Sequence, residues 1–116
     1  MGQVEIESNK DEIIALFERA IPFALQKVGM VAERYAVEYE DKVDTGRLKG
    51  SITHATSISD DEKAVYIGTN VEYAQYVEFG TYKMQAANGG KGFLRPAATN
   101  HMDEYRQIIY DELVNS

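Results

Sequence analysis

From residue 13 to residue 39 the apolar positions fall three or four apart: Ile13, Phe17, Ala20, Ala24, Val28, Val31, Tyr35 and Tyr39, flanked by Ile14, Leu16, Ile21, Leu25 and Ala32. That spacing puts them on one face of a long amphipathic helix. Pro22 lies inside the pattern. A proline removes a backbone donor and its ring crowds the preceding turn, so a kink or a break is expected there, with a second helix starting at Pro22. Upstream, Val4 and Ile6 alternate with polar neighbours and predict a short strand, and Ser8 with Asp11 three positions on resembles a capping box that opens the helix near residue 9. The helical stretch is expected to end before Gly46.

The period then changes. Ser51 to Ser59, with Ile52 and Ile58 on one face, reads as a strand; SDDEK at 59–63 reads as an acidic turn, and AVYIG at 64–68 as the second strand of a hairpin. Tyr73 to Phe79 fits two helical turns closed by Gly80 in the left-handed conformation. Residues 81–92 look irregular. Pro96 suits the first turn of a helix, and Ala97, Ala98, Met102, Tyr105, Ile108, Ile109 and Leu113 continue one helical face to the end. The predicted fold is α+β: a long N-terminal helix, kinked or broken at Pro22, and a C-terminal helix packed on a small, mainly antiparallel sheet. Residues 1–116 form one domain, with a flexible arm at about 81–92.

Composition narrows the function. A chain of 116 residues hides roughly two-thirds of its unfolded surface, enough for one core. No apolar run approaches the ~20 residues of a membrane span, and the polar, acidic start MGQVEIESNKDE lacks the features of a signal peptide, which makes the cytoplasm the expected compartment. The absence of cysteine excludes disulfides, thiol catalysis and Cys-based zinc sites. A net charge of −7 argues against a nucleic-acid binder, because such proteins gain affinity by setting Lys and Arg against phosphates. An acidic surface can still face DNA as a wall that repels it.

Catalytic chemistry is not evident. His54 and His101, the two histidines, have no carboxylate or second histidine at a metal-ligand spacing such as i, i+4. Asp60, Asp61 and Glu62 lack the alternating ligands of a calcium loop, and NGGKG at 88–92 is not a phosphate loop, since Lys91 precedes Gly92 rather than Ser or Thr. Ser51, Ser57 and Ser59 sit in no nucleophile elbow. No catalytic residue, metal ligand or cofactor is expected. The bias is toward contact: eight tyrosines are many for this length, and tyrosine brings area with a polar tip and few rotatable bonds. Tyr73, Tyr76, Phe79, Tyr82 and Met84 are the candidate interface residues, whereas Tyr35 and Tyr39 fit a core or interface better than a base-stacking platform.

Three motifs in order, VDTGRLKGSI (43–52), VYIGTNVEYAQYVEFGT (65–81) and GFLRPA (92–97), resemble the neck protein family of tailed bacteriophages and prophages, a group of head–tail joining, tail-completion and minor structural proteins. The motifs have physical roles. Asp44 and Thr45 can satisfy backbone groups at the chain reversal, Gly46 permits a left-handed turn, and Arg47 offers a planar fork to carboxylates or carbonyls. Phe93 and Leu94 can anchor the far end of the loop, Arg95 can bind a carboxylate or carbonyl, and Pro96 can start the last helix. The resemblance implies a ring of identical subunits around the DNA channel, meeting head-completion and tail proteins in a virion assembled in the host cytoplasm, without enzymatic activity or cofactor. Glu33, Glu38, Glu40 and the 60–62 acids are candidates to face that channel. Tyr82 and NGGKG depart from the glycine and prolines expected of relatives. A competing reading of the Tyr-rich surface is a small intracellular adaptor or antitoxin-like binding module.

Overall fold

One helix, α1 (Gly2–Tyr39), dominates a molecule that measures 71 × 23 × 21 Å. The structure, a computed structural model, describes residues 2–42 and 46–115, with side chains from Glu12 onward except at residue 13. Asp44 and Thr45 lie outside the described residues. After α1 come α2 (Gly46–Ser51), the antiparallel strands β1 (Thr53–Ile58) and β2 (Lys63–Gly68), α3 (Ala74–Phe79), a single turn α4 (Ala87–Gly90), α5 (Leu94–Thr99) and α6 (Met102–Val114). The class is mixed α+β and mostly helical.

α1 corrects the sequence reading in three places. Val4 and Ile6 belong to the helix, not to a strand. The sheet has two strands among the described residues, and a short segment with no partner strand satisfies its backbone only by internal helical bonds. Ser8 and Asp11 therefore fall inside the helix rather than at its start. At Pro22 the helix runs on unbroken. Pro22 and Glu18, whose carbonyl the ring deprives of a donor, both face solvent, where water serves that carbonyl, while Ala20, Ala24 and Leu25 pack on the other side.

α6 runs antiparallel to α1, as successive cross-links show: Lys27 Nζ to Glu112 Oε2 at 2.7 Å, the Tyr35 hydroxyl donating to Glu104, and the Tyr39 hydroxyl against His101 Nε2 at 2.6 Å. The Glu104 carboxylate, followed by burial, raises the Tyr35 hydroxyl above its usual range. One helix was expected from Pro96 onward, but the chain breaks at Asn100 and His101. The break turns the His101 ring onto Tyr35, with centroids 3.5 Å apart and planes 2° from parallel. Pro96 is then the third residue of α5, where its missing N–H has no intrahelical acceptor to lose.

The hairpin register pairs Thr53 with Gly68 and Ile58 with Lys63, and residues 59–62 close it through Ser59 N–H donating to Glu62 O at 2.7 Å. The strand starts two residues later than predicted because Ser51 ends α2, its Oγ donating to Leu48 O at 2.7 Å, and Ile52 N–H still bonds back to Lys49 O at 3.4 Å. Gly46 opens that helix and is not a left-handed turn. The hairpin lies on α1, where His54 fills a notch at Gly29. A Cβ on Gly29 would stand 2.3 Å from His54 Cδ2, so the ring approaches the helix because that residue has none. His54 Nδ1 also meets Glu33 Oε1 at 3.3 Å. Two apolar clusters result, one of Val28, Ala32 and Tyr105 between α1, the hairpin and α6, and one around Ala36, Leu48, Val77, Ala87 and Phe93.

Tyr105 joins them, its hydroxyl donating to Ala97 O, and burial pushes that hydroxyl up to about 12. Tyr105→Phe should cost ~1–2 kcal/mol in urea unfolding at neutral pH, by leaving a buried carbonyl without its donor. A folded-state value above the ordinary ~10 means that the neutral hydroxyl is favoured by folding, so its contribution is complete below about pH 10 and is lost toward pH 12. Stability of the variant should accordingly fall less steeply over that alkaline window than that of the natural chain.

Candidate assembly surface

The segment from α3 to α5 is organised by a carboxylate the sequence reading missed. Glu78, on the buried side of α3, accepts the backbone N–H of Phe93 at 2.9 Å and of Leu94 at 2.7 Å on Oε1, and that of Arg95 at 3.1 Å on Oε2. These N–H groups open α5 and have no acceptor within the helix. A buried anion and three orphan donors thereby satisfy one another. Gly92 makes room for it: its φ is +87°, and a Cβ there would lie 2.4 Å from Glu78 Oε2. The available signals were a Glu in the motif EFG and a Gly ahead of FLRP, but one sequence does not link them across fourteen residues.

Gly80 ends α3 with φ +78° as expected, but with ψ −178°, an extended form open essentially to glycine alone, not the left-handed helical one. Its N–H donates to Tyr76 O at 2.8 Å. A Cβ would stand 2.7 Å from Met84 O and 2.8 Å from Ala86 N. Thr81 N–H donates to Met84 O at 2.7 Å, and Met84 N–H returns to Thr81 O at 3.2 Å, so 81–84 is a closed turn. The expected arm at 81–92 is also fixed at its middle. Ala86 and Ala87 are buried, Gly92 N–H donates to Ala87 O at 2.8 Å, and Asn88 N–H reaches Asp41 Oδ1 at 3.0 Å beyond the end of α1. Small size lets the two alanines fit where the reading looked only for branched apolar residues.

The candidate interface residues divide over this frame. Tyr73, Tyr76 and Met84 line a groove of about 260 Å³ floored by Leu48 and Val77; Phe79 lines another of about 570 Å³ with Val71, Leu94 and Arg95 on the opposite flank of α3. Tyr82 stands at the tip of the turn, 93% exposed, and Phe79 is 69% exposed. Phe93 is buried and Leu94 partly so, as their anchoring role requires. Arg95 differs from expectation: its backbone N–H binds Glu78, while its guanidinium lies over the Phe79 ring at 5.9 Å. Arg47 pairs with Glu72 at 3.2 Å and sits 5.5 Å over the Tyr73 ring, but both ion-pair partners are exposed, a setting in which solvent screens the charges. A backbone hydrogen bond at Glu72 itself, and after it the Arg47 charge, hold the Glu72 carboxyl below its usual range.

His54 and His101 line neither groove and serve the packing already described. Among the described residues no three of His, Asp or Glu gather as a metal site. What the geometry provides is an aromatic surface mounted on a fixed loop.

Glu78→Ala should lower stability by ~3 kcal/mol, because it strands donors at the head of α5. Glu78→Gln, which keeps one acceptor but turns an amide toward the remaining N–H groups, should lose roughly half as much. A smaller loss for alanine than for glutamine would show that the carboxylate does not hold the loop. Gly80→Ala should cost ~2–3 kcal/mol through its φ and the backbone contacts of the new Cβ, measured as a drop in Tm.

The profile of one family, HK97-gp10-like, described as "Bacteriophage HK97-gp10, putative tail-component", matches residues 4–80. No curated protein and no solved structure matches. The matched span takes in α1 from Val4, the hairpin and α3 up to Gly80, and so includes the first sequence motif, the second as far as Gly80, and Glu78, but not GFLRPA. With α1, the hairpin, α3 and its closing glycine all inside the match, this chain belongs to the HK97-gp10-like family of bacteriophage tail components.

Proposed function

We propose that this tail component works in the neck of the virion, joining head to tail as a ring of identical subunits around the DNA channel, without catalysis. The observation that carries the reading is the set of exposed aromatics, Tyr76 and Phe79 on α3 and Tyr82 on the turn that follows, in a segment held by backbone hydrogen bonds and by Glu78. Large apolar side chains presented to solvent on a fixed frame suit a contact that forms on assembly, because little ordering entropy remains to be lost. Met84 and Tyr73, in the groove beside them, give a neighbouring subunit or a head-completion or tail protein a place to insert.

The charge fits a passive channel. A ring multiplies the −7 of each subunit, and acids turned inward repel passing DNA rather than bind it. Glu33, Glu38 and the 60–62 acids remain candidates for that wall. Glu40 does not, since its side chain is buried within the subunit, 1% exposed, and accepts Lys42 N–H at 2.9 Å.

Particles lacking the protein should appear in electron micrographs as separate filled heads and tails. Normal joined particles would exclude a neck role. Deleting 82–91 would also remove the buried Ala86 and Ala87, so the sharper variant is Tyr82→Ser, whose side chain touches mostly solvent. Its Tm should stay within about 2 °C of the natural chain while head–tail joining falls; unchanged joining would remove Tyr82 from the contact.

A further inference from the structure

The apolar stripe of α1 is longer than the body that covers it. Ala20, Ala24, Val28 and Ala32 are buried one turn after another, yet Ile14 and Phe17, which continue the same stripe toward the N-terminus, are each 43% exposed. Every described side chain from Glu12 to Arg19 is exposed. Of α6, Glu112 borders the surface of Leu16, Arg19 and Phe23.

We propose that this uncovered part of α1 docks on the α3-and-loop end of a second copy of the chain, head to tail. The proposal rests on the ring reading above and names its subunit contact. Charge selects the occupant. Residues 2–18 hold five carboxylates against Lys10, and among the described residues Glu12 and Glu18 have no ion-pair partner. The opposite end presents Lys83, Lys91 and Arg95, all exposed and none ion-paired among the described residues, while two acids of that end, Glu40 and Glu78, are buried. Exposed Phe79 and Tyr82 lie under these cations. An acidic helix with an apolar stripe thus faces a cationic surface with apolar rings. Two α1 ends brought together would set like charges against each other.

Distance makes the contact intermolecular. Asp41, just beyond α1, binds the loop at Asn88, and about 25 residues of helix separate that point from Ile14, roughly 38 Å at 1.5 Å per residue. Two different surfaces of one subunit that fit each other make a heterologous interface, which closes into a ring or continues as a filament.

The test uses purified full-length protein in sedimentation velocity. Ile14→Asp with Phe17→Asp damages one surface; Tyr82→Asp with Lys91→Glu damages the other; all four positions are solvent-facing, and unchanged circular dichroism confirms folding. The natural chain should assemble with concentration and weaken at least about tenfold when added salt screens the charges. Each double variant alone should be a monomer, and their equimolar mixture a dimer, because only one intact interface remains. A natural chain that stays monomeric, an α1 variant that assembles normally, or a mixture that gives no dimer would each overturn the proposal. A monomeric chain whose loss still separates heads from tails would remove this contact and keep the neck role; the dimer from the mixture, in a protein whose loss leaves particles joined, would keep the contact and remove the role.

Discussion

A buried carboxylate survives in a protein only where donors replace the water it has lost, and Glu78 finds three at the head of α5. Everything between α3 and α5 follows from that requirement. The carboxylate fixes where α5 begins, Gly92 must be glycine to let it in, and Phe93, whose N–H it accepts, becomes fully buried. The intervening loop is then closed at its base, while Thr81 to Lys83, Gln85 and Gly89 to Lys91 stay exposed to solvent. The exposed aromatics are positioned by polar chemistry beneath them rather than by packing against one another.

Most of the architecture was legible from periodicity. The α1 stripe, the hairpin, the short α3 and the helical C-terminus all lie where the apolar spacing put them, within a few residues. The errors share a cause. Val4 and Ile6 alternate, but alternation predicts a strand only if a partner exists, and pairing is a property of the whole chain. Pro22 predicts a kink or a break; the helix does not break there, because its turn faces water rather than the core. Asn100 and His101 stand inside a run of helical spacing, and the break there is tied to a ring stacking on Tyr35, 66 positions away in sequence.

The loop shows the same limit at the candidate site. Gly80 and the anchors Phe93 and Leu94 were readable because each acts through its own backbone or its own bulk. Glu78 and Gly92 act on each other, and neither looks special alone. Arg95 and Arg47 were readable as cations that would find partners, but the partners include the faces of Phe79 and Tyr73, which lie next to them only in the folded chain. Ala86 and Ala87 were passed over because small residues announce burial weakly, although close approach of backbones favours them.

The antiparallel pairing of α1 with α6 also sets the order in which the chain can fold as it is made. The links from Lys27 to Glu112, Tyr35 to Glu104 and Tyr39 to His101 span 85, 69 and 62 positions. During synthesis α1 leaves the ribosome with its apolar stripe complete and no α6 to cover it, while the hairpin can form against it early from local contacts. Closure waits until α6 has emerged. Because the buried part of the stripe between Ala20 and Ala36 is mostly alanine and valine, the waiting helix is less adhesive at its centre than a leucine-rich one of the same length.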